Sequence, residues 1–221
     1  HLAHTIMQEC VWQASEFMQC ELVESRLDAC IWQEGEISET QFIQCELSKA
    51  AWNEVALERN QWHDCHLYRG AFANCDWQEL TWQNCHLEAL AVIGEQAIQA
   101  CDFLACRISS ASLREQVFIE CDFTQTRLEN TDLSKSRFVQ TSFQQADFPE
   151  AVLRRCEFDR VDFTQANLMQ AIFSQSQFNQ CLFVQTNFYG SDFSRTQIDA
   201  HTLEQGNYMQ GIQLEPRLRE A

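Results

Sequence analysis

The sequence predicts an all-β solenoid whose coils stack as parallel strands. Two columns of residues indicate it. Residues 156–193 divide into eight blocks of five, and the third place of each block is a large apolar residue, from Phe158 to Phe193. The first place of each block is small, as at Cys156 and Ala166. A period of five matches neither the 3.6 of a helix nor the 2 of a strand, so each block is one unit of a repeat protein.

The same register runs along nearly the whole chain. Steps of five from Leu2 to Val92 give nineteen such residues, and steps from Ile98 to Tyr208 give twenty-three, all of them apolar. We call this apolar place the centre and the place two residues before it the inner slot. All 16 Phe and all 6 Trp are centres, and all 12 Cys are in inner slots. Centres and inner slots therefore point inward, and the other places point outward.

The geometry of one coil follows from this pattern. If every block presents its centre to a common axis, the chain turns a corner every five residues, and four corners make a coil of about 20 residues. Stacked coils hydrogen-bond like neighbouring strands, about 4.8 Å apart. Residues n and n+20 then lie above one another, which predicts about ten coils. It also predicts a ladder of phenylalanines in the second half, made of Phe103, Phe123, Phe143, Phe163 and Phe183.

Several blocks resemble the pentapeptide-repeat family, whose consensus is A(D/N)LXX. ANLMQ at 166–170 fits it fully, and ADFPE, TDLSK and SDFSR fit closely. The resemblance covers residues 1–210 and implies a right-handed quadrilateral parallel β-helix. In the first half the Asp/Asn place holds residues such as Val11 and Arg26. This departure leaves the type of corner open there.

Four segments are predicted. Residues 1–92 form acidic, Trp-rich coils, and 98–210 form regular, Phe-rich coils. Between them, residues 93–97 carry a one-residue shift of register, since Val92 and Ile98 are six apart. We expect a bulge or small loop there that kinks the rod. Residues 211–221 are a C-terminal cap or tail.

Three further expectations concern the Trp-rich coils, the tail and the start of the chain. A buried indole N–H needs a hydrogen-bond partner, so the Trp-rich coils should be wider or less regular. In the tail, Leu214 and Leu218 could form a short capping helix. The chain starts at His1 already in register, and we expect it to be part of a larger bacterial protein.

The charge is strongly acidic, with a formal net charge of −17. Up to Glu95 there are sixteen Asp and Glu against four Lys and Arg, a net −12; the remainder has sixteen against eleven, a net −5. Direct nucleic-acid binding needs clusters of Lys and Arg and is therefore not predicted. No apolar run is long enough for a membrane span.

The cysteines are predicted to be reduced thiols that pack as small apolar side chains. No CxxC occurs, and every Cys lies in an inner slot. Cys45, Cys65 and Cys85 share one column and are the candidates for a bridged pair. Because free thiols suit a reducing compartment, we expect a cytoplasmic protein.

The sequence indicates neither an enzyme nor a bound cofactor. A rod filled with Phe and Leu has no concave pocket with convergent polar groups, and no known catalytic motif is present. Glu46, His66 and His86 form one outward column and could share a Zn²⁺ ion. The alternative, three solvated side chains on a polar face, stays open.

A candidate interaction surface lies in the first half. The outward place just before the centre is apolar over successive coils, and two acidic corners border it. An exposed apolar stripe of this kind is typical of a contact surface, although small β-formers also suit a sheet. The surface comprises Val11, Ile31, Ala51, Ala71, Glu34 and Glu54.

Two functions follow. The first is a non-enzymatic scaffold that binds a protein partner or a second copy, without membrane contact. The family resemblance adds that such repeats occur in secretion-system adaptors. The alternative implied by the resemblance is a DNA mimic that binds DNA gyrase or topoisomerase IV and confers quinolone tolerance. A continuous acidic face would favour the mimic, and acids confined to one half with the apolar stripe favour docking.

Overall fold

The computed structural model describes residues 1–94, 96–198, 200–204 and 209–215. Its chain is a parallel β-solenoid with one short helix, α1, at Ala200–Glu204. The strands pair in parallel between successive coils. The strands are β1 Leu2–Ala3, β2 Val11–Gln13, β3 Glu16–Met18, β4 Glu21–Val23, β5 Ile31–Ser38, β6 Gln41–Ile43, β7 Ala51–Glu58, β8 Gln61–His63, β9 Ala71–Ala73, β10 Asp76–Gln78, β11 Thr81–Gln83, β12 Ala91–Ile93, β13 Ala97–Gln99, β14 Asp102–Leu104, β15 Val117–Ile119, β16 Arg137–Val139, β17 Glu157–Asp159 and β18 Gln177–Asn179.

The pairing gives the solenoid four faces. We number the faces 1 to 4 by their first centres, Leu2, Met7, Trp12 and Phe17. Leu2 pairs with Leu22, which confirms the predicted repeat of twenty residues. On face 1, strands and single-residue bridges continue to the rung of Phe183, so ten rungs are joined by nine turns.

The core is a set of stacked columns, as the sequence predicts. The ring centroids of Phe103, Phe123, Phe143, Phe163 and Phe183 are 4.5, 4.9, 5.3 and 5.0 Å apart in turn. All five side chains are buried. Because the coils repeat in register, each ring inside this ladder packs on the rings above and below it, and the interior fills with dispersion contacts.

Every corner uses the same backbone conformation. From His4 to Arg195, the non-glycine residue two places after each centre has φ between 46° and 66°. This left-handed region favours glycine, yet the chain places Gln, Glu, Arg and Ala there. At Phe123 the N–H of Thr126 donates to the Phe123 carbonyl at 3.1 Å, which with the positive φ of Gln125 is the signature of a type II turn.

The two halves differ in how their corners close. In the described part of the first half, this turn hydrogen bond occurs only on face 2, as from Cys30 N–H to the Leu27 carbonyl at 3.2 Å. In the second half it also occurs on face 1 and at several corners of face 3. The sequence did not determine the type of corner in the first half. Most of the described corners there lack the turn hydrogen bond and are held by hydrogen bonds between coils.

The register shift is confirmed by the pairing. Trp77 pairs with Ile98 and Trp82 with Phe103, an offset of twenty-one residues instead of twenty. Gly94 has φ 97°, and a Cβ at this position would overlap the Asn74 amide oxygen, so only glycine fits without rearrangement. The neighbouring Glu95 lies outside the described residues. The expected kink of the rod stays a prediction.

Two glutamines occupy inner slots beside the shift. Gln116 donates from Nε2 to the carbonyls of Gly94 and Arg114, at 2.8 and 2.6 Å. Gln96 is buried, and neither atom of its amide has a hydrogen-bond partner among the described residues. The rule of small inner slots therefore fails where the extra residue enters the coil.

The regular coils end differently from the sequence expectation. Leu203, predicted to be a centre, lies in α1, and the predicted centre Tyr208 is outside the described residues. The solenoid then resumes, since Asp192 bridges to Gln213 with an offset of twenty-one. Leu214 follows in this rung, is 54% exposed and is not helical. Leu218 also lies outside the described residues.

All twelve cysteines are free, ten of them buried and Cys10 and Cys20 half-buried. The stacked Cys45, Cys65 and Cys85 donate their S–H groups to backbone carbonyls one coil earlier, each at 3.3 Å. These thiols therefore pack in the interior and contribute weak hydrogen bonds, as expected for buried free cysteine.

The aromatic ladder generates a first prediction. Phe143→Ala should lower the free energy of unfolding by about 3–5 kcal/mol, because it leaves a cavity between two stacked rings. Gln145→Ala, at an exposed corner of the same block, should cost under about 0.5 kcal/mol. Chemical denaturation of both variants measures the two values. Equal losses would contradict the assignment of inward and outward places.

A second prediction concerns the corners. Ala105 has φ 54°, so Ala105→Gly should relieve left-handed strain and raise the free energy of unfolding by about 0.5–1 kcal/mol. The matched control is Ala146→Gly in a buried inner slot, which should lose about 1 kcal/mol because a buried methyl group is removed. Thermal and chemical unfolding provide the measurement. Destabilisation by both substitutions would show that the corner conformation is not strained.

A third prediction concerns the thiols. Burial raises the pKa of Cys75 to about 11 and that of Cys156 to about 12, so these groups are neutral thiols at ordinary pH. A thiol reagent should react quickly with at most the half-buried Cys10 and Cys20 in the native protein, and with all twelve cysteines after unfolding. Replacing both half-buried residues with serine should abolish the fast reaction. Rapid native labelling of most cysteines would refute their burial.

Candidate interaction surface

The predicted apolar stripe exists as a stacked column on face 3. Val11 pairs with Ile31, Ile31 with Ala51 and Ala51 with Ala71, each in parallel register. Val11 is 61% exposed and Ile31 is 41% exposed, while the two alanines are half-buried. Parallel strands place these side chains at the spacing of one strand, about 4.8 Å, so they form a continuous apolar strip.

Stacked indoles support the stripe from inside. The rings of Trp12, Trp32, Trp52 and Phe72 lie 4.5, 4.8 and 4.3 Å apart, nearly parallel from Trp32 onward. These aromatic residues lie in the same strands as the stripe. The outward side chains of the stripe are therefore spaced as regularly as the stacked rings. The result is a face with a regular spacing of side chains.

The expected partners of the indole N–H groups are missing among the described residues. Trp32, Trp52, Trp62, Trp77 and Trp82 each bury Nε1 without a hydrogen-bond partner there. The rings nevertheless stack at contact distance, as Trp62 does on Trp82 at 4.5 Å. Ring packing and burial of large apolar surface thus hold these coils in place of the predicted polar contacts.

Acidic corners border the stripe. Glu34 and Glu54 are exposed, have φ of 51° and 56° and lie on adjacent rungs of the corner that follows face 3. Neither forms an ion pair with any residue that the structure describes. Along the described columns, acids follow one another on at most two adjacent rungs, as at Glu16 and Glu36. They do not form one continuous acidic face.

The candidate zinc column is stacked but not convergent. Glu46 bridges to His66 and His66 to His86, and the two imidazoles stack at 4.5 Å. His66 Nδ1 is 3.5 Å from a Glu46 oxygen, whereas His86 Nδ1 turns to Glu88 at 3.4 Å. Among the residues described, no three His, Cys, Asp or Glu side chains are placed to hold a metal ion.

The structure shows one feature that the sequence analysis did not find. On the second half of face 3 is an open groove of about 940 Å³, lined by five of the chain's fifteen Lys and Arg residues. The signal was present at a step of twenty residues, because Lys135, Arg155 and Arg195 share one corner column. The five basic residues are Arg114, Lys135, Arg154, Arg155 and Arg195.

Membrane insertion by a helix is not supported in the described residues, since none of their helices is long and apolar enough to cross a bilayer. The one helix there, α1, has five residues. The surface features that remain are the apolar stripe, its acidic border and the basic groove, all three on face 3.

Part of the chain matches a known protein family. Residues 97–168 match the sequence model of a family described as a pentapeptide repeat region. No curated protein matches the chain. The solved structures similar to this chain include two that are described as pentapeptide repeat proteins and one that is described as a resistance protein.

HetL, a pentapeptide repeat protein involved in heterocyst differentiation regulation in the cyanobacterium Nostoc sp. strain PCC 7120, is 15% identical with TM-score 0.46, covering 93% of this chain and 87% of its own. Full-length QnrB1, a plasmid-mediated fluoroquinolone resistance protein, is 15% identical with TM-score 0.46, covering 91% and 94%. A pentapeptide repeat protein of the Arabidopsis thaliana thylakoid lumen is 23% identical with TM-score 0.23, covering 42% and 68%.

These similarities carry no argument about function. The family assignment rests on the matched segment and on the five-residue register, whose four-sided parallel coils extend from Leu2 to the rung of Gln213. Residues 97–168 match the pentapeptide-repeat family, and the coils on both sides of them have the same four-sided parallel architecture.

Proposed function

We propose that this protein is a non-enzymatic docking scaffold, a domain of a larger bacterial protein that binds a protein partner through the first half of face 3. The observation that carries the proposal is the stacked apolar stripe, of which Val11 and Ile31 are 61% and 41% exposed. Aligned apolar side chains on a flat sheet lose unfavourable hydration only when another surface covers them.

The surroundings of the stripe support a protein partner. Glu34 and Glu54 give it a charged border, and interfaces commonly combine an apolar centre with a polar rim. The stacked indoles beneath keep the face rigid, so that binding orders little new structure and costs little conformational entropy. A component of a secretion system is one kind of larger protein that could carry such a domain.

A non-enzymatic role is supported by what fills the molecule. The interior is a column of aromatic, aliphatic and small side chains, and the basic groove on face 3 is open to solvent. The groove is lined by cations, Asp, Ser, Gln and aliphatic residues, with no His or Cys among them. We propose no cofactor and no resident metal.

The second candidate, a mimic of DNA that binds a topoisomerase, is favoured by the net charge of −17. DNA presents phosphates in two regular rows, and a mimic needs a comparable row of carboxylates. The described acidic columns are interrupted after one or two rungs, which favours docking through the apolar stripe.

The stripe predicts a specific effect of charge. Val11→Lys combined with Ile31→Lys should abolish capture of partner proteins from bacterial extract, while thermal stability changes by less than about 1 kcal/mol because both places point outward. The matched control is Gln41→Lys with Gln61→Lys, at the equivalent exposed place of face 1. Partners lost only with the first pair support the proposal. Equal capture by both variants would contradict it.

A supercoiling assay separates the two candidates. At micromolar concentration the protein should not inhibit DNA gyrase. Inhibition that falls as salt rises, and that disappears on reversing Glu34 and Glu54 to lysine, would establish the mimic and displace the scaffold.

A further inference from the structure

The two edges of face 3 carry opposite patterns of charge. The forward edge is the corner two places after each centre of this face. Its first half is acidic, at Glu34 and Glu54, and its second half is basic, at Lys135, Arg155 and Arg195. All five residues have positive φ and are exposed, so their side chains stand outward at equivalent positions of successive coils.

The rear edge, the corner that precedes face 3, has the reverse pattern. Its first half is basic at Lys49 and Arg69 but acidic at Glu9 on the first rung, and its second half carries an acid at Glu150. All four are exposed. Apart from Glu9 here and Glu115 at the middle of the forward edge, each edge has the sign that the other edge has at the opposite end.

These edge charges are mostly unpaired within the chain. Glu34, Glu54, Arg69, Glu150 and Arg195 form no ion pair with any described residue. Lys135 is the exception, with its ammonium 2.5 Å from a Glu115 oxygen. Adjacent like charges such as Glu34 and Glu54 repel one another, and an opposing surface of opposite sign would relieve this.

We propose that face 3 binds face 3 of a second copy of this chain, with the two rods antiparallel. The twofold axis lies along the strand direction at the rung of Leu113, the sixth of the eleven rungs of face 3. The first rung then meets the eleventh and the second meets the tenth. This register covers the whole face, and a shift in either direction would leave rungs uncovered.

Two pairs of opposite charges face each other in this register, while at the axis Glu115, which is ion-paired with Lys135, faces its own copy. Glu34, on the second rung, lies opposite Arg195 on the tenth, and Arg69, on the fourth, lies opposite Glu150 on the eighth. Glu54 lies opposite Gln175, between Arg155 and Arg195. Because a twofold axis repeats each contact, every opposite-charge pair occurs twice.

In this register the two alanines of the apolar stripe face aliphatic residues, whereas Val11 lies opposite Gln213. Ala51 lies opposite Ile172, and Ala71 lies opposite Val152, the two aliphatic residues that line the basic groove. Ile31 lies opposite Asp192, whose carboxylate already accepts a hydrogen bond from the Ser194 N–H at 2.8 Å. The small alanines face the larger side chains, which suits close packing.

A parallel arrangement about an axis along the rod would also pair some edge charges, such as Glu54 with Lys49. It would, however, bring the acidic half, with its net −12, against the same half of the partner. The antiparallel arrangement places that half against the half with net −5 and its basic groove. Electrostatic repulsion therefore favours the antiparallel dimer.

The expected dimer is weak. Ten steps of about 4.8 Å and a face about 12 Å wide give on the order of 600 Å² for each partner, below the roughly 800 Å² of a standard interface. With charges exposed at both edges, association should weaken as salt screens them. The inference rests on the docking face of the proposed function and names its partner.

Sedimentation equilibrium with charge reversal tests the proposal. At about 50 mM salt the protein should form dimers at tens of micromolar, and about 0.5 M salt should dissociate them. Glu34→Arg and Arg195→Glu alone should each raise Kd about tenfold, because each places like charges opposite one another twice. The two reversals combined should restore Kd to within about threefold of the original value.

The controls separate the possible failures. Arg127→Glu makes the same change of net charge as Arg195→Glu, but on face 2, and should leave Kd unchanged; circular dichroism checks that each variant is folded. Failure of the combined reversal to restore dimers would overturn the proposed register. The register would also be overturned if Glu54→Lys and Lys49→Glu each weakened the dimer and their combination restored it, because these two residues face each other in the parallel arrangement. A monomer at all concentrations would overturn self-association. The proposed function would still stand if the Val11 and Ile31 variant loses a different partner.

Discussion

The structure depends on parallel, in-register stacking of identical corners. A left-handed residue such as Gln125 is unfavourable by itself, but its N–H donates to a carbonyl one coil later, at Gln144, and the same bond recurs at Gln145 and Gln165. Each coil thereby fixes the corner of the next. The strain of one corner persists because the hydrogen bonds and ring contacts of its neighbours over-determine the backbone there.

The two halves reach this stacking by different means. In the second half, turn hydrogen bonds close many corners and small inner slots such as Ala146 and Ala166 keep the coils regular. In the first half, most corners are open, and broad stacks of Trp32, Trp52 and Trp62 occupy the interior. Their indole N–H groups have no hydrogen-bond partner among the described residues, so stacking of the large rings is the interaction that holds these coils together.

Because the coils repeat every twenty residues, the surface residues form columns. The residue types in each column decide what that part of the surface can bind. Face 3 carries an apolar stripe at one end and a basic groove at the other. A rod of this kind offers long flat faces instead of a cleft, which suits binding between surfaces. The charges along both edges of face 3 are the basis for the proposed pairing of this face with a second copy.

The sequence alone determined the repeat, the centres and inner slots, the columns at twenty residues and the shift after Val92, because these follow from which side chains must leave water. The stripe of Val11 and Ile31 followed from the same register. Only the tertiary structure decided the corners, since stacking overrides the preference of Gln or Glu for negative φ. It likewise turned His86 toward Glu88 and returned the chain to the solenoid at Gln213, because these depend on neighbours that the five-residue pattern does not encode.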